Sequence, residues 1–231
     1  LRFMTSHPND ISDELIGLFA TEPKLCKHIH LPVQSGSDSV LKAMKRNYTV
    51  TEYLLSVKKI KTACPNIAVT TDIIVGFPGE TDADFEQTMA LINGVRFDNI
   101  FSFTYSPRPG TEAAHIKGAV PVHVKSERLL ILQERQKRIT AEKNAAFAGA
   151  KITVLVEGRS KARIDELTGR TSCNRVVNFP VPLPPQRLVT EGELVEIDVT
   201  ETHPNSLRGR LCARGSGEGR VISKEKLTTN H

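Results

Sequence analysis

The sequence lacks tryptophan, is poor in aromatic residues and has four widely separated cysteines among its 231 residues. Cys26, Cys64, Cys173 and Cys212 form no CxxC, no CxxxCxxC and no zinc-binding spacing, so we assign no metal ligand in this chain. Long apolar runs are also missing. No stretch approaches the roughly 20 residues that span a bilayer, which argues against an integral membrane protein, and we expect no membrane partner.

The remaining composition is that of a globular protein. Hydrophobic residues make up 39% and charged residues 25% of the chain, enough for a buried core and a polar surface. The first residue is Leu1, within a strand-like run and without an initiator methionine. We therefore expect the chain to be the later part of a longer protein, so the missing signal peptide carries little information.

The basic excess is unevenly distributed. The formal net charge is +5, and all of the excess lies after residue 121. A basic second half favours a nucleic-acid partner. A solvated surface that happens to be basic explains the charge equally well.

Short apolar runs alternate with helical stretches over residues 1–105, in units of about 30 residues. Ala68–Val75 is the strongest predicted strand: Val69, Ile73, Ile74 and Val75 leave little polar alternation, as expected when both faces are covered. The predicted strands are Arg2–Ser6, His28–Val33, Ala68–Val75 and Ile100–Tyr105. One predicted helix ends at Phe19, and three others cover Val40–Arg46, Thr51–Ala63 and Asp82–Asn93. This order predicts a parallel α/β sheet, either a barrel or doubly wound.

The second half follows a different pattern. A long helix is predicted over Lys125–Phe147, with Ser126 as its cap and its apolar side on the first domain. From Lys151 onward apolar residues alternate with polar ones, and glycine and proline separate the runs, which predicts a small antiparallel β-barrel. The predicted domains are residues 1–121, a connecting helix at 122–149, the barrel at 150–212 and a flexible tail at 213–231.

Polar residues follow the predicted strands of the first domain. In parallel α/β sheets ligands bind at the carboxyl ends of the strands. The segment 71–80 ends a buried strand at Gly76, where backbone can approach a ligand closely. It has no phosphate-loop lysine, and Glu80, Asp82 and Asp84 at the next helix start would repel phosphate. A cationic amino or sulfonium ligand suits this environment better.

Several motifs together resemble a known family. His30–Asp38, which reads HLPVQSGSD, continues into Met44–Thr49, and both segments resemble the radical S-adenosylmethionine (SAM) methylthiotransferases. The segments Thr71–Thr81 and Tyr105–Thr111 also resemble this family. The resemblance runs from Leu1 to about Cys212, and the sequences of these motifs are most similar to those of the branch that acts on N6-isopentenyladenosine in tRNA.

The resemblance implies the later strands of a radical SAM barrel followed by a TRAM domain, an RNA-binding β-barrel. Family members use SAM and two 4Fe-4S clusters, each held by three cysteines, to add a methylthio group to C2 of a modified adenine beside the anticodon. The cluster-binding part is absent from this sequence. We therefore expect the isolated chain to be inactive, and no catalytic residue is assigned in it.

The resemblance also implies site residues. Those expected to border SAM are Gln34, Ser35, Asp72, Ile74, Gly76, Glu80 and Tyr105. Those expected to contact substrate or RNA are Arg108, Arg170, Arg175, Arg208 and Arg210, although each could instead be a solvated surface charge. The implied partner is the anticodon stem-loop of tRNA, and we expect a monomeric, cytoplasmic protein. The alternatives are a sister methylthiotransferase, acting on threonylcarbamoyladenosine or a ribosomal protein, and an RNA-binding protein without clusters.

Overall fold

A computed structural model describes residues 1–3, 7–161, 163–182 and 188–212. Its first part alternates helices and strands, as the apolar periodicity predicts. The helices are α1 Asp13–Thr21, α2 Asp38–Ala43, α3 Val50–Ala63, α4 Asp82–Val95 and α5 Val122–Ala145, with 3₁₀ turns at Pro8–Asp10 and Glu112–His115. The strands are β1 His28–His30, β2 Ala68–Val75 and β3 Asn99–Thr104.

The three strands form one parallel sheet in the order β1-β2-β3. Strand β2 lies in the centre, which explains why six of its eight residues are buried. The predicted strand His28–Val33 is shorter in the structure, and a single bridge between Gln34 and Ile73 continues the pairing beyond it. All three strands run in the same direction, so their carboxyl ends meet at one edge of the sheet.

Polar caps fix where the helices after β1 and β2 begin. Thr49 and Glu52 form a reciprocal capping box at α3, and Thr81 and Asp84 form another at α4. Each box satisfies two backbone N–H groups that the first helical turn leaves without partners. The loop before α4 is therefore held in one conformation beside the carboxyl end of β2.

The long helix α5 starts earlier than predicted. It begins at Val122 after Pro121, and Ser126, the predicted cap, lies inside the helix and donates to the Val122 carbonyl. Leu132 and Ile139 are fully buried in the core of the first part, as predicted. Phe147 differs from the prediction, because it packs against the core of the second part.

The second part is a closed five-stranded barrel in the order β4-β5-β6-β8-β7. Its strands are β4 Lys151–Arg159, β5 Glu166–Arg170, β6 Val176–Pro180, β7 Leu194–Thr202 and β8 Leu207–Leu211. Alternate residues such as Val154, Val156 and Ile197 fill the interior. The predicted barrel is thereby confirmed, but the pairing of β6 with β8 is parallel, in place of the all-antiparallel pattern expected.

Two predicted segments fall wholly or partly outside the described residues. The predicted tail at 213–231 lies there entirely. Of the predicted strand Arg2–Ser6, residues 4–6 lie there, and the described residues 2 and 3 belong to no strand. The boundaries predicted at residues 121, 149 and 212 stay predictions.

Candidate functional site

A cavity of about 650 Å³ opens at the carboxyl ends of the three strands. Gln34 after β1, Ile74 and Phe77 at the end of β2, and Tyr105 after β3 line it on the sheet side. The end of α2 and the segment 110–116 line it on the other side. An ion pair between Lys45 and Glu112 joins these two walls. Strand topology thus brings together residues that are far apart in the sequence.

Gln34 has an unusual backbone in this cavity. Its φ is 72°, in the left-handed region that glycine favours. Its N–H donates to the Asp72 carbonyl and its carbonyl accepts from the Ile74 N–H, both at 2.9 Å. These sheet-like bonds hold a conformation that is costly for a residue with a side chain. The backbone of Gln34 is therefore held in position by the neighbouring strand β2.

Tyr105 is fixed from two sides. Its ring contacts Phe77 edge to face, with the ring centroids 4.9 Å apart, and the Lys125 ammonium lies 5.3 Å from the Tyr105 ring centroid. Lys125 also donates to the Tyr105 carbonyl at 3.1 Å. The Tyr105 hydroxyl is buried and has no hydrogen-bond partner in the part of the chain that the structure describes. A buried hydroxyl without a partner costs free energy, so it is suited to a polar ligand atom.

Glu80 does not line the cavity. Its carboxylate accepts from the Gly76 N–H at 3.0 Å and pairs with Arg128 at 2.7 Å, and both charged side chains are buried. Burial raises the pKa of the Glu80 carboxyl, while the Gly76 N–H and the Arg128 guanidinium act in the opposite direction. In this arrangement Glu80 holds the turn that follows β2 in its position beside the cavity.

The other predicted residues of this site are not among those that line the cavity. A side chain at Gly76 (φ 72°) would collide with the methylene groups of Lys125, 2.4 Å from the ideal Cβ position. Ser35 is buried, and its hydroxyl lies 3.4 Å from that of Thr88. Asp72 is partly exposed and lies 3.4 Å from the His30 ring nitrogen. Gln34, Ile74 and Tyr105 thus share the cavity, whereas Ser35, Asp72, Gly76 and Glu80 do not line it.

The predicted RNA-contacting arginines differ widely in their surroundings. Arg175 is largely buried between the two parts of the chain: it pairs with Asp98 at 2.7 Å and donates to the Asn144 side chain at 3.0 Å. Its guanidinium also lies 4.7 Å from the Phe147 ring centroid. These contacts make Arg175 a connection between the first part and the barrel.

The other arginines remain accessible. Arg170 is partly exposed and pairs with Glu157 at 3.2 Å, and Arg208 pairs with Glu166 at 3.1 Å. Arg210 is exposed on β8, and Arg108 is exposed in the loop after β3. Their role in RNA binding stays a prediction.

Comparison with known proteins identifies both parts. Residues 2–92 match the model of the Radical SAM superfamily, and residues 146–212 match that of the TRAM domain. The two parts of the chain are therefore similar to a radical SAM domain and to a TRAM domain. Strands β1 and β2 lie within the radical SAM match, β3 follows it, and the closed barrel coincides with the TRAM match, as the sequence motifs predict.

Individual relatives match across both domains. The tRNA-2-methylthio-N(6)-dimethylallyladenosine synthase of Coxiella burnetii is 52% identical over 92% of this chain and 47% of its own length. The protein of the same name from Legionella pneumophila is 48% identical over 93% of this chain and 47% of its own length. The chain therefore spans about half the length of the curated relatives it matches.

Among solved structures, coproporphyrinogen III oxidase (HemN) from Escherichia coli, titled a radical SAM enzyme, has a TM-score of 0.48 and 10% sequence identity. The match covers 87% of this chain and 49% of that chain. No helix in the described residues is long and apolar enough to cross a membrane.

The cavity residues fit the SAM that the superfamily implies. Ile74 and Phe77 offer apolar surface for the adenine, and the Gln34 amide and the Tyr105 hydroxyl offer polar atoms. The described residues do not fit an iron–sulfur cluster. The four cysteines lie far apart in sequence, and no group of three or more His, Cys, Asp or Glu in the described part of the chain could hold a metal ion.

Sequence reasoning missed several residues that shape the site. Arg128 and Lys125 reach the turn after β2 and the Tyr105 ring from α5, and Lys45 and Glu112 join the cavity walls. No local motif marks these residues, because their partners lie 20 to 67 positions away in the sequence. The capping pattern at Thr81 and Asp84 predicts where α4 begins, but it does not predict the contact with Arg128.

Proposed function

We propose that this chain is the part of a tRNA methylthiotransferase that borders SAM and binds tRNA. The reaction would replace the C2 hydrogen of N6-isopentenyladenosine, beside the anticodon, with a methylthio group. One observation carries the proposal: the identity of about half to the tRNA-2-methylthio-N(6)-dimethylallyladenosine synthases runs through the radical SAM segment and the TRAM domain together.

The cavity at the strand ends supports this function. Bound SAM would supply the methyl group and the radical chemistry at C2 of the substrate adenine. Gln34, Ile74 and Tyr105 are the residues of this chain proposed to contact it, and Ser35, Asp72, Gly76 and Glu80 are proposed to border and support the contact surface. Two 4Fe-4S clusters belong to the proposal for the whole protein, with ligands other than the cysteines of this chain.

The TRAM domain supports tRNA as the substrate. Arg170, Arg208 and Arg210 are accessible and are proposed to contact phosphates of the anticodon stem-loop, with Arg108 near the substrate base. Such contacts are electrostatic, so binding should weaken as the salt concentration rises. A tRNA substrate also favours a cytoplasmic location, and we propose that the protein acts as a monomer.

The function can be tested with a chimera. This chain would replace the matching half of the Coxiella burnetii relative, and the chimera would be expressed in bacteria that lack methylthiolated adenosine. Mass spectrometry of digested tRNA should then detect the methylthio form of N6-isopentenyladenosine. A folded chimera that modifies threonylcarbamoyladenosine instead, or no tRNA nucleoside, would contradict the proposal. A chimera in which Tyr105 and Gln34 are replaced should bind tRNA and give no product.

A further inference from the structure

The turn after β1 carries Gln34 to the cavity at the strand ends, which we call the SAM cavity. Residues 34–37 of this turn are all buried, and we call them the strand-end loop. On one side, Gln34 is bonded to β2 in a left-handed conformation with φ 72°. A residue with a side chain keeps such a conformation only when its surroundings hold it from more than one direction. Helix α4 provides the second direction.

The backbone of the strand-end loop touches the backbone of α4 at Gly36. A Cβ atom at Gly36 would lie 2.5 Å from the Cα of Thr88 and 2.8 Å from the carbonyl oxygen of Gln87. Only glycine fits here, because the atoms in the way belong to helix backbone. The Gly36 N–H donates to the Thr88 hydroxyl at 3.0 Å, and that hydroxyl donates to the backbone carbonyl of Asp84 at 3.2 Å. The Thr88 oxygen is therefore oriented to accept from the loop.

Asp84 holds the far end of the loop through one of its two carboxylate oxygens. Its Oδ2 accepts from the N–H and the hydroxyl of Thr81, at 2.9 and 2.7 Å, and completes the capping box of its own helix. Its Oδ1 accepts from the hydroxyls of Ser37 and Ser39 at 2.5 and 2.6 Å. Burial would raise the pKa of the Asp84 carboxyl, but these hydrogen bonds outweigh burial and hold the pKa far below its ordinary value. Asp84 therefore stays charged at neutral pH and accepts all four bonds.

Helix capping alone does not account for this arrangement. In the capping box of α3, the Glu52 carboxylate is exposed and accepts from the N–H and the hydroxyl of Thr49 at the start of its own helix. Asp84 is buried and also reaches Ser37, which lies 47 positions away in the sequence. Capping therefore explains the bonds to Oδ2, whereas Oδ1 and the Thr88 hydroxyl fasten the strand-end loop to α4.

We propose that Asp84 and Thr88 are positioning residues for SAM, which fasten the strand-end loop and so keep the Gln34 side chain in the SAM cavity. This inference rests on the proposed function, in which Gln34 contacts SAM. Neither Asp84 nor Thr88 lines the cavity, so each acts through Gln34. When the loop is released, Gln34 can relax to a negative φ, and fewer molecules present its amide. The dissociation constant of SAM then rises as that fraction falls, while the rate at saturating SAM is unchanged.

The test uses the chimera with the Coxiella burnetii relative, reconstituted with iron and sulfide, and measures SAM affinity by equilibrium dialysis. T88V keeps the side-chain shape and removes the acceptor of the Gly36 N–H, so the dissociation constant should rise about tenfold. T88S restores the hydroxyl and should stay within about twofold of the wild type. The matched control T81A removes the capping bond of the same helix and leaves Oδ1 of Asp84 on the loop. It should lower the unfolding midpoint and leave SAM affinity unchanged.

A double-mutant cycle shows whether Thr88 acts through Gln34. Q34M keeps the length of the side chain and removes its amide, so it should weaken SAM binding by itself. T88V should then raise the dissociation constant about tenfold in the wild type and less than about twofold in the Q34M background. The rate of tRNA modification at saturating SAM should be the same for T88V and the wild type. Equal effects of T88V in both backgrounds would overturn the proposal, because Thr88 would then support the fold in general.

Hydrogen exchange gives a readout that needs neither clusters nor SAM. In the 231-residue chain, the peptide that contains residues 34–37 should exchange faster in T88V and D84N than in T81A or the wild type. If exchange is faster but T88V and D84N leave the SAM affinity of the chimera unchanged, the positioning proposal is wrong while the tRNA function stands. If the wild-type chimera binds SAM, T88V weakens that binding and no tRNA is modified, the proposed function is wrong and the positioning role stands. A folded wild-type chimera that binds no SAM would contradict both.

Discussion

Replacing Arg175 with alanine should destabilise the connection between the radical SAM segment and the TRAM domain. The Arg175 guanidinium lies in a largely buried ion pair with Asp98, in which both side chains are less than 15% exposed. It also bonds Asn144 and lies over Phe147. Removing one partner of a buried ion pair costs about 3–5 kcal/mol, because the other charge is left without compensation.

The loss should fall at the lower end of that range. Asp98 keeps two partners after the replacement, the Lys143 ammonium at 2.7 Å and the Val69 N–H at 3.0 Å. We therefore expect the R175A variant to lose about 3 kcal/mol of unfolding free energy. R175K should recover part of it, since an ammonium can pair with Asp98 but cannot also reproduce the planar contacts to Asn144 and Phe147.

Urea unfolding followed by circular dichroism measures this change. Because Arg175 joins two domains, its loss should also separate the unfolding of the TRAM barrel from that of the first domain and give a two-step curve. The exposed Arg159 offers a control, and R159A should change stability by less than about 0.5 kcal/mol. The reasoning is refuted if R175A unfolds like R159A and instead lowers the salt dependence of RNA binding. Arg175 would then be an RNA contact, as the sequence motifs predict.

Three further predictions test the packing and the buried charges. G209A should unfold the TRAM barrel in thermal melts, since the new Cβ would lie 2.4 Å from a backbone carbonyl oxygen of β7, while G17A, with open space around it, should be neutral or stabilising. Burial, with Arg2 and His30 nearby, lowers the pKa of His28 to about 4. The unfolded chain then binds a proton first as the pH falls, so stability should drop between about pH 6.5 and 4, and H28N should flatten that drop in urea titrations. E80Q should lower the unfolding free energy by about 2 kcal/mol, because the buried Arg128 guanidinium then keeps only the exposed Asp82 carboxylate at 2.6 Å, and equal urea midpoints for E80Q and wild type would contradict this.

The sequence predicts the fold well where local pattern is sufficient. The boundaries of β2 are predicted to the residue, because a largely buried strand shows little polar alternation: six of its eight residues are buried. Helix α5 shows the limit. Its predicted start at Ser126 follows from a capping preference, but a proline at position 121 starts the helix earlier and the serine bonds within it. The parallel pairing of β6 with β8 could not be predicted either. The alternation of apolar and polar residues shows which side chains face the core, but it does not show which strands pair or in which direction.

The candidate site is predictable only in part for a similar reason. Strand-end residues are readable, because parallel strands bring their carboxyl ends to one edge, and three of the seven predicted residues line the cavity. Charge alone does not separate an RNA contact from a structural bond. Arg175 and Arg210 look alike in the sequence, yet one is largely buried beside Asp98 and the other is exposed on β8. The partner that decides between the two roles lies 77 residues away for Arg175.

The placement of Arg175 has a consequence for how the protein would hold RNA. A TRAM domain attached by a flexible linker would bind tRNA without fixing the distance between the RNA and the SAM cavity. Here the guanidinium of Arg175, the Asn144 amide that donates to the His203 carbonyl, and the Arg2 bond to the Thr171 carbonyl hold the barrel against the first domain from three positions. If the barrel binds phosphates, this rigid contact converts TRAM binding into a defined position of the RNA relative to the first domain. R175A should therefore lower the yield of modified tRNA in the chimera more than it lowers tRNA affinity, whereas R210Q should lower both together.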